Sequence, residues 1–365
     1  MSRSYRIIDA DTHVNEPPDL WTSRLPAKFR DRAPRIERFE QGDAWVLDGV
    51  ADPINFGLNA CAGMKPEEMQ GWVRFEDIRR GGYDPAARLL EMDADRIDAA
   101  VLYPTPRLSH AIVASPDPEF HLVQIRAYND WLSDYCSHAP ERLGAIMMLP
   151  NRGVEMALAE LERVAGLPGT KGVLVSCWPH GDLDWDDADE AVWKALISTE
   201  MALHIHVGMI NEMPTAHKVK IVGDVRWYDA PKRILQMIWS GLFDRLPELQ
   251  VVIAEVDAGW VPYFKEQIDD RYYRMSKGSG LQLERPPSAY VEDHFNFTYL
   301  VDSFGLRNRE TIGVERILWS TDYPHVGSDW PNSWRRMESN FSGITRADRE
   351  LITCGNAQRL YRFSS

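Results

Sequence analysis

The sequence predicts an α/β protein: one (β/α)8 TIM barrel over residues 1–365, with a cap inserted at residues 17–84 after the first strand. Eight short apolar or β-branched runs carry that expectation, at residues 5–10, 99–103, 143–149, 171–176, 202–207, 249–254, 296–301 and 316–320. Several are apolar at nearly every position, as parallel strands covered on both faces require. Amphipathic stretches of helical length separate them, and strands alternating with helices build a parallel barrel.

The elements follow in order. Behind the first strand comes a region rich in Pro, Gly and Trp: Pro17, Pro18, Trp21, Pro26, Trp45, Asn59-Ala60-Cys61-Ala62-Gly63, Trp72 and Gly81-Gly82. So long a connection is rarely structureless, so it is expected to cap the C-terminal mouth of the barrel. Pro85 opens a helix over 86–97, with Leu89, Leu90 and Met92 facing inward and its Arg, Asp and Glu residues outward. Asp117-Pro118 opens a second helix that reaches His138, and helical periodicity continues at 153–165, 186–198 and 231–246. Two excursions interrupt the pattern, at 209–228 and 277–292; the second reads as an arm reaching a neighbour.

Composition excludes several function classes. Hydrophobic residues at 44% and charged residues at 26% suit an ordinary globular chain able to bury a sizeable core. A formal charge of −14 argues against nucleic acid or an anionic membrane as partner. No apolar run is long enough to span a membrane. Ile7-Ile8 is followed by Asp9 and Asp11, too short for a signal-peptide core. Cys61, Cys136, Cys177 and Cys354 lie far apart, which excludes a cysteine zinc knuckle and a disulfide scaffold and suits free thiols in the cytoplasm. The arm's Pro286-Pro287, Leu281 and Leu283 suit contact better than solvent, so a homo-oligomer is expected, through the arm or the barrel helices; pairing with a related subunit is left open.

In such barrels the active site lies at the C-terminal strand ends. The first predicted strand runs on into Asp11-Thr12-His13, whose acid and imidazole, two apart, face one side. The fifth ends in His204-Ile205-His206, the sixth in Glu255, and the eighth in Ser320-Thr321-Asp322-Tyr323-Pro324-His325. Singly, Asp11 could cap a turn, His206 could be a core histidine and Glu255 could pair with an arginine. Together, at four strand ends that converge on one mouth, they read as a metal site. Imidazole with carboxylate suits Zn, Fe or Mn, as one ion or two.

These motifs, with Val14-Asn15-Glu16-Pro17 and Gly259-Trp260-Val261-Pro262, resemble the amidohydrolase superfamily. The likeness is greatest to its amidohydrolase-related branch, which includes aminocarboxymuconate semialdehyde decarboxylase and the resorcylate decarboxylases, and it covers the chain from about Ile7 to Leu360. It implies His13 and His206 as imidazole ligands, Asp11 as a further ligand, and Asp322 as ligand and general base. Glu255 is a ligand or a proton shuttle; Glu16 reaches the metal or fixes the turn at Pro17. His325 supports the ligands from behind. His180 and Trp178, after the fourth strand, are substrate-contact candidates. His204 is expected buried and hydrogen-bonded; His110, His121, His138, His217 and His294 are taken as structural or surface residues.

Two departures stand out: Asp11 replaces the first histidine of the usual H-x-H, and Glu255 stands where the decarboxylases carry a proton-transferring histidine. Glu255 therefore favours hydrolysis of a small organic substrate by metal-activated water, with Asp322 and Glu255 as catalytic groups. The alternatives are non-oxidative decarboxylation of a small carboxylic acid, and a di-iron oxygenase using two histidines and four carboxylates. A chain that has lost its chemistry and partners an active paralogue is a third.

Overall fold

The computed structural model describes residues 5–213 and 227–363. Its strands are β1 (Ile8–His13), β2 (Arg35–Arg38), β3 (Asp43–Val46), β4 (Ile54–Asn55), β5 (Ala99–Tyr103), β6 (Leu143–Met148), β7 (Thr170–Leu174), β8 (Ala202–His206), β9 (Val251–Ala254), β10 (Phe295–Tyr299) and β11 (Ile317–Trp319). The strands β1 and β5 to β11 form one sheet in that order, every pair parallel. Closure runs just past β11, where Asp322 N donates to Asp11 O at 3.0 Å and His13 N to Tyr323 O at 2.6 Å. The predicted (β/α)8 barrel is the observed one. Ile8, Ala10, Ala99, Val101, Ile146, Val252, Ala254 and Leu318 fill the barrel with Tyr103, Tyr361 and Phe363. A larger apolar layer packs the helices on the outside.

The first strand begins later than the apolar run suggests, so the polar Asp9, Asp11 and His13 belong to the strand itself. Asp84 caps the helix Pro85–Ala94 by accepting from the amides of Ala86 and Ala87. Its inward face differs from the expected one. Leu90 is 71% exposed, whereas Arg88 is buried with Met92. Asp117 caps the helix Pro118–Cys136 in the same way. The helix predicted at 231–246 is two, Ala230–Trp239 and Leu242–Arg245, separated by Gly241 in the left-handed conformation (φ 70°).

Residues 17–84 hold the antiparallel sheet of β2, β3 and β4, a short helix Leu20–Arg24 and several single turns. They touch the loop after β11, where Val326 N donates to Leu58 O and Ala62 N to Pro324 O. The 277–292 excursion is not a projecting arm. The helix Val261–Ser279 takes up its start, and the helix Pro287–His294 folds back on it, with Ser288 donating to Asp269 through both N and Oγ. Most of the 209–228 excursion, with His217, lies outside the described residues. Among the described residues no helix is long and apolar enough to cross a membrane.

Candidate metal centre

Strict strand alternation would not bring these side chains together; local backbone irregularities do. From Asp9 to Thr12, β1 takes three steps while β5 takes two, a bulge of one extra residue. Ile8 and Ala10 face the barrel interior, yet so do Asp11 and His13, while Asp9 points outward beside Arg88 and Met92. In β9, Val252 and Ala254 face inward, so alternation would send Glu255 outward. Its backbone instead adopts φ 59°, and the carboxylate turns in. Val207 (φ 57°), just past β8, and Asp322 (φ 56°), three residues past β11, adopt the same left-handed conformation. That conformation is costly for any residue with a Cβ, most of all for β-branched Val207.

The result is a buried cluster. His13 Nε2 stands 3.1 Å from His206 Nε2, 3.6 Å from Asp11 Oδ1 and 3.5 Å from Asp322 Oδ1. His206 Nε2 is 3.5 Å from Asp11 Oδ1 and 3.2 Å from Glu255 Oε2. His13 and Asp11 are held from behind, and the backbone of Glu255 is anchored. Pro104 O accepts from His13 Nδ1 at 2.9 Å, which leaves Nε2 facing the cluster. Thr298 Oγ1 accepts from Glu255 N at 2.6 Å and donates to Asp11 Oδ2 at 3.0 Å.

This donor set fits a divalent cation. Two imidazole Nε2 atoms facing each other at 3.1 Å can share only one proton, and no ordinary hydrogen bond reaches Asp11 Oδ1. Burial lowers the His206 pKa, but Asp11, Glu255 and Asp322 outweigh it and push it up to about 9. Burial, then His325 and His206, drive His13 well down. The carboxylates favour positive charge here, and a metal ion held by neutral imidazoles would supply it. Two ligand groupings share His13: Asp11, His13 and His206, and His13, Glu255, Asp322 and His325.

Other predicted site residues fall elsewhere. Glu16 is kept out of both groupings: its Oε1 accepts from Thr105 N at 3.0 Å, and burial raises its pKa to about 7. The six-ligand di-iron set therefore lacks a member. His325 lies closer in than a supporting residue would, stacked on His13 at 3.8 Å with Nδ1 2.7 Å from Asp322 Oδ1. Trp178 is fully buried against Trp185 and Trp193, and His180 pairs with Asp189 at 2.6 Å. His204 is buried, 2.6 Å from Tyr103 OH, with Gly172 leaving room for its ring. His121 and His294 bond backbone carbonyls, and His138 is on the surface. His110, however, sits close enough to His206 to interact with it electrostatically. Sequence reasoning also missed Thr298 and Arg88. One threonine in a strand and one arginine in a helix carry no signal without their partners.

The Amidohydrolase family model matches residues 8–363. The γ-resorcylate decarboxylase of Polaromonas sp. strain JS666 is 27% identical over 267 residues, covering 66% of this chain and 76% of that one. The 2-amino-3-carboxymuconate-6-semialdehyde decarboxylase of Dictyostelium discoideum is 25% identical over 289 residues, 78% of each chain. Among solved structures, a dihydroxybenzoic acid decarboxylase from Polaromonas sp. JS666, with bound manganese and the inhibitor 2-nitroresorcinol, superposes with a TM-score of 0.65 at 20% identity, covering 98% of this chain and 97% of that one.

Proposed function

The chain belongs to the amidohydrolase family, in the branch of the aminocarboxymuconate semialdehyde and resorcylate decarboxylases, and from that premise we propose that it is a metal-dependent, non-oxidative decarboxylase of a small aromatic carboxylic acid. The observation that carries the reading is the buried cluster in which Asp11 and His206 on one side, and Glu255 and Asp322 on the other, gather about His13. The relatives decarboxylate, which supports this reading over the hydrolysis that Glu255 suggested.

His13, His206, Asp11 and Asp322 would hold a divalent ion, with manganese favoured by the related structure, and Glu255 stands beside them. Such an ion supplies positive charge to fix the substrate's carboxylate and a neighbouring oxygen. Asp322 gives a proton to the carbon that bears the carboxylate. The carbon–carboxylate bond then breaks, its electron pair returns to the ring and CO2 leaves. His325, 2.7 Å from Asp322, reloads that carboxylate from water. Residues 17–84, bonded to the loop beside His325, serve in this reading as the cap that keeps bulk water out.

The test is CO2 release from γ-resorcylate, and from aminocarboxymuconate semialdehyde, by manganese-loaded protein in D2O. Deuterium should appear at the vacated carbon, and Asp322→Asn should stop turnover. No CO2 from a panel of aromatic acids, together with hydrolysis of an amide or lactone, would return the hydrolase reading to first place.

A further inference from the structure

We propose that Arg88 is a positioning residue that fixes the separation of His13 and Asp322 at the metal centre. The proposal rests on the reading of that cluster as a metal site. Arg88 is 1% exposed on a helix face expected to carry charge outward. Among the described residues it makes no ion pair, and its Nε has no hydrogen-bond partner. A charge so buried is costly, and packing alone gives no reason to keep it.

What Arg88 touches supplies the reason. Its Nη1 donates to His13 O at 3.0 Å, and its guanidinium lies 4.4 Å from the centre of the Tyr323 ring. His13 and Tyr323 belong to the two segments that close the barrel, and their backbones are bonded to each other at 2.6 Å. One ligand is His13 itself; the other, Asp322, directly precedes Tyr323. Arg88 thus grips both ligand-bearing segments from outside the barrel, where His13 Nε2 and Asp322 Oδ1 stand 3.5 Å apart on the inside.

The Tyr323 ring is itself held. Its hydroxyl donates to Glu91, which Arg79 approaches at 3.4 Å. Gly81 permits this, because a Cβ there would meet Glu91 Oε2 at 2.3 Å. Across the seam, Asp9 accepts from Thr321 N at 3.0 Å and from the Thr321 hydroxyl, tying β1 to the residue before Asp322. Asp9, Arg88, Glu91 and Tyr323 line one small cavity of about 10 Å³, room for about one water molecule.

The test measures the manganese dissociation constant by electron paramagnetic resonance of the free ion, alongside the thermal midpoint of the metal-free protein. Arg88→Met should weaken manganese binding about 10- to 100-fold, the range seen when the supporting partner of a ligand is lost. At saturating manganese, kcat should fall while KM for the acid stays within about twofold. Arg88→Lys, which keeps a cation and one donor, should recover much of the affinity. If Arg88→Met does not fold, Glu91→Gln loosens Tyr323 instead and should weaken binding several-fold. Folded variants that bind manganese within twofold of wild type overturn the inference. Wild-type protein that takes up no manganese overturns the metal-centre reading with it.

Discussion

Thr298→Val removes one hydroxyl and keeps the shape and strand preference of the side chain. In the wild type that hydroxyl accepts from Glu255 N and donates to Asp11 Oδ2, both inside the barrel. The valine takes that hydroxyl from the Glu255 amide and from Asp11 Oδ2. Each buried hydrogen bond lost without replacement costs about 1–3 kcal/mol, so the variant should lose about 2–6 kcal/mol. Unfolding entropy of about 2.1 cal/mol/K per residue, over 365 residues, gives about 0.8 kcal/mol/K. The midpoint of the metal-free protein should therefore fall by about 3–8 °C in a scanning calorimeter. Thr298→Ser keeps the hydroxyl and should lose only about 1 kcal/mol for its missing methyl. Manganese affinity should fall with the valine and hold with the serine, because the hydroxyl aims Asp11 and anchors the turn at Glu255. A valine variant that melts with wild type and binds manganese equally well would show that the bridge holds nothing.

Three further outcomes are expected. His13→Ala and His206→Ala should each abolish tight metal binding while the barrel still folds; stoichiometric metal by elemental analysis in either variant removes that residue from the ligand set. Glu255→Gln should lower metal content as well as turnover, and full metal content with only a proton-transfer step lost would make Glu255 an acid–base group. Stability should fall as pH drops from about 6.5 to about 4, where His121 resists protonation. Burial is the main cause, and its Nε2 accepts from Asn151 N at 3.2 Å. The unfolded chain takes up that proton near pH 6.5 and the folded chain only near 4, so the stability present above 6.5 is lost as pH falls, by about 3 kcal/mol for that shift. His121→Gln should flatten the acid side of the midpoint–pH curve, and an unchanged slope would assign the loss to other groups.

The barrel was legible because its strands are apolar on both faces and two of its helices begin at Asp-Pro signals. Both features act locally. The cluster was legible because His and carboxylate recur at the ends of such strands. The inward turn of Arg88 was not, since an arginine on an amphipathic helix reads as solvent-facing until its partners, the His13 carbonyl and the Tyr323 ring, are in place. Nor was the exclusion of Glu16, which depends on the amide of Thr105. Thr298 serves two residues far from it in sequence. The choice between hydrolysis and decarboxylation turns on where Asp322 and His325 stand relative to a substrate, which no strand-end motif encodes.

The bulge in β1 has a consequence for anyone who would transplant this centre. Copying Asp11, His13, His206, Glu255 and Asp322 onto an idealised barrel would scatter them, since regular strands would turn Asp11 and His13 to the same side as Asp9. The extra residue between Asp9 and Thr12 is therefore as much a part of the centre as any ligand. A one-residue deletion there should disarm the enzyme more completely than exchanging one ligand for another. A designer must graft the backbone irregularity first and the side chains second.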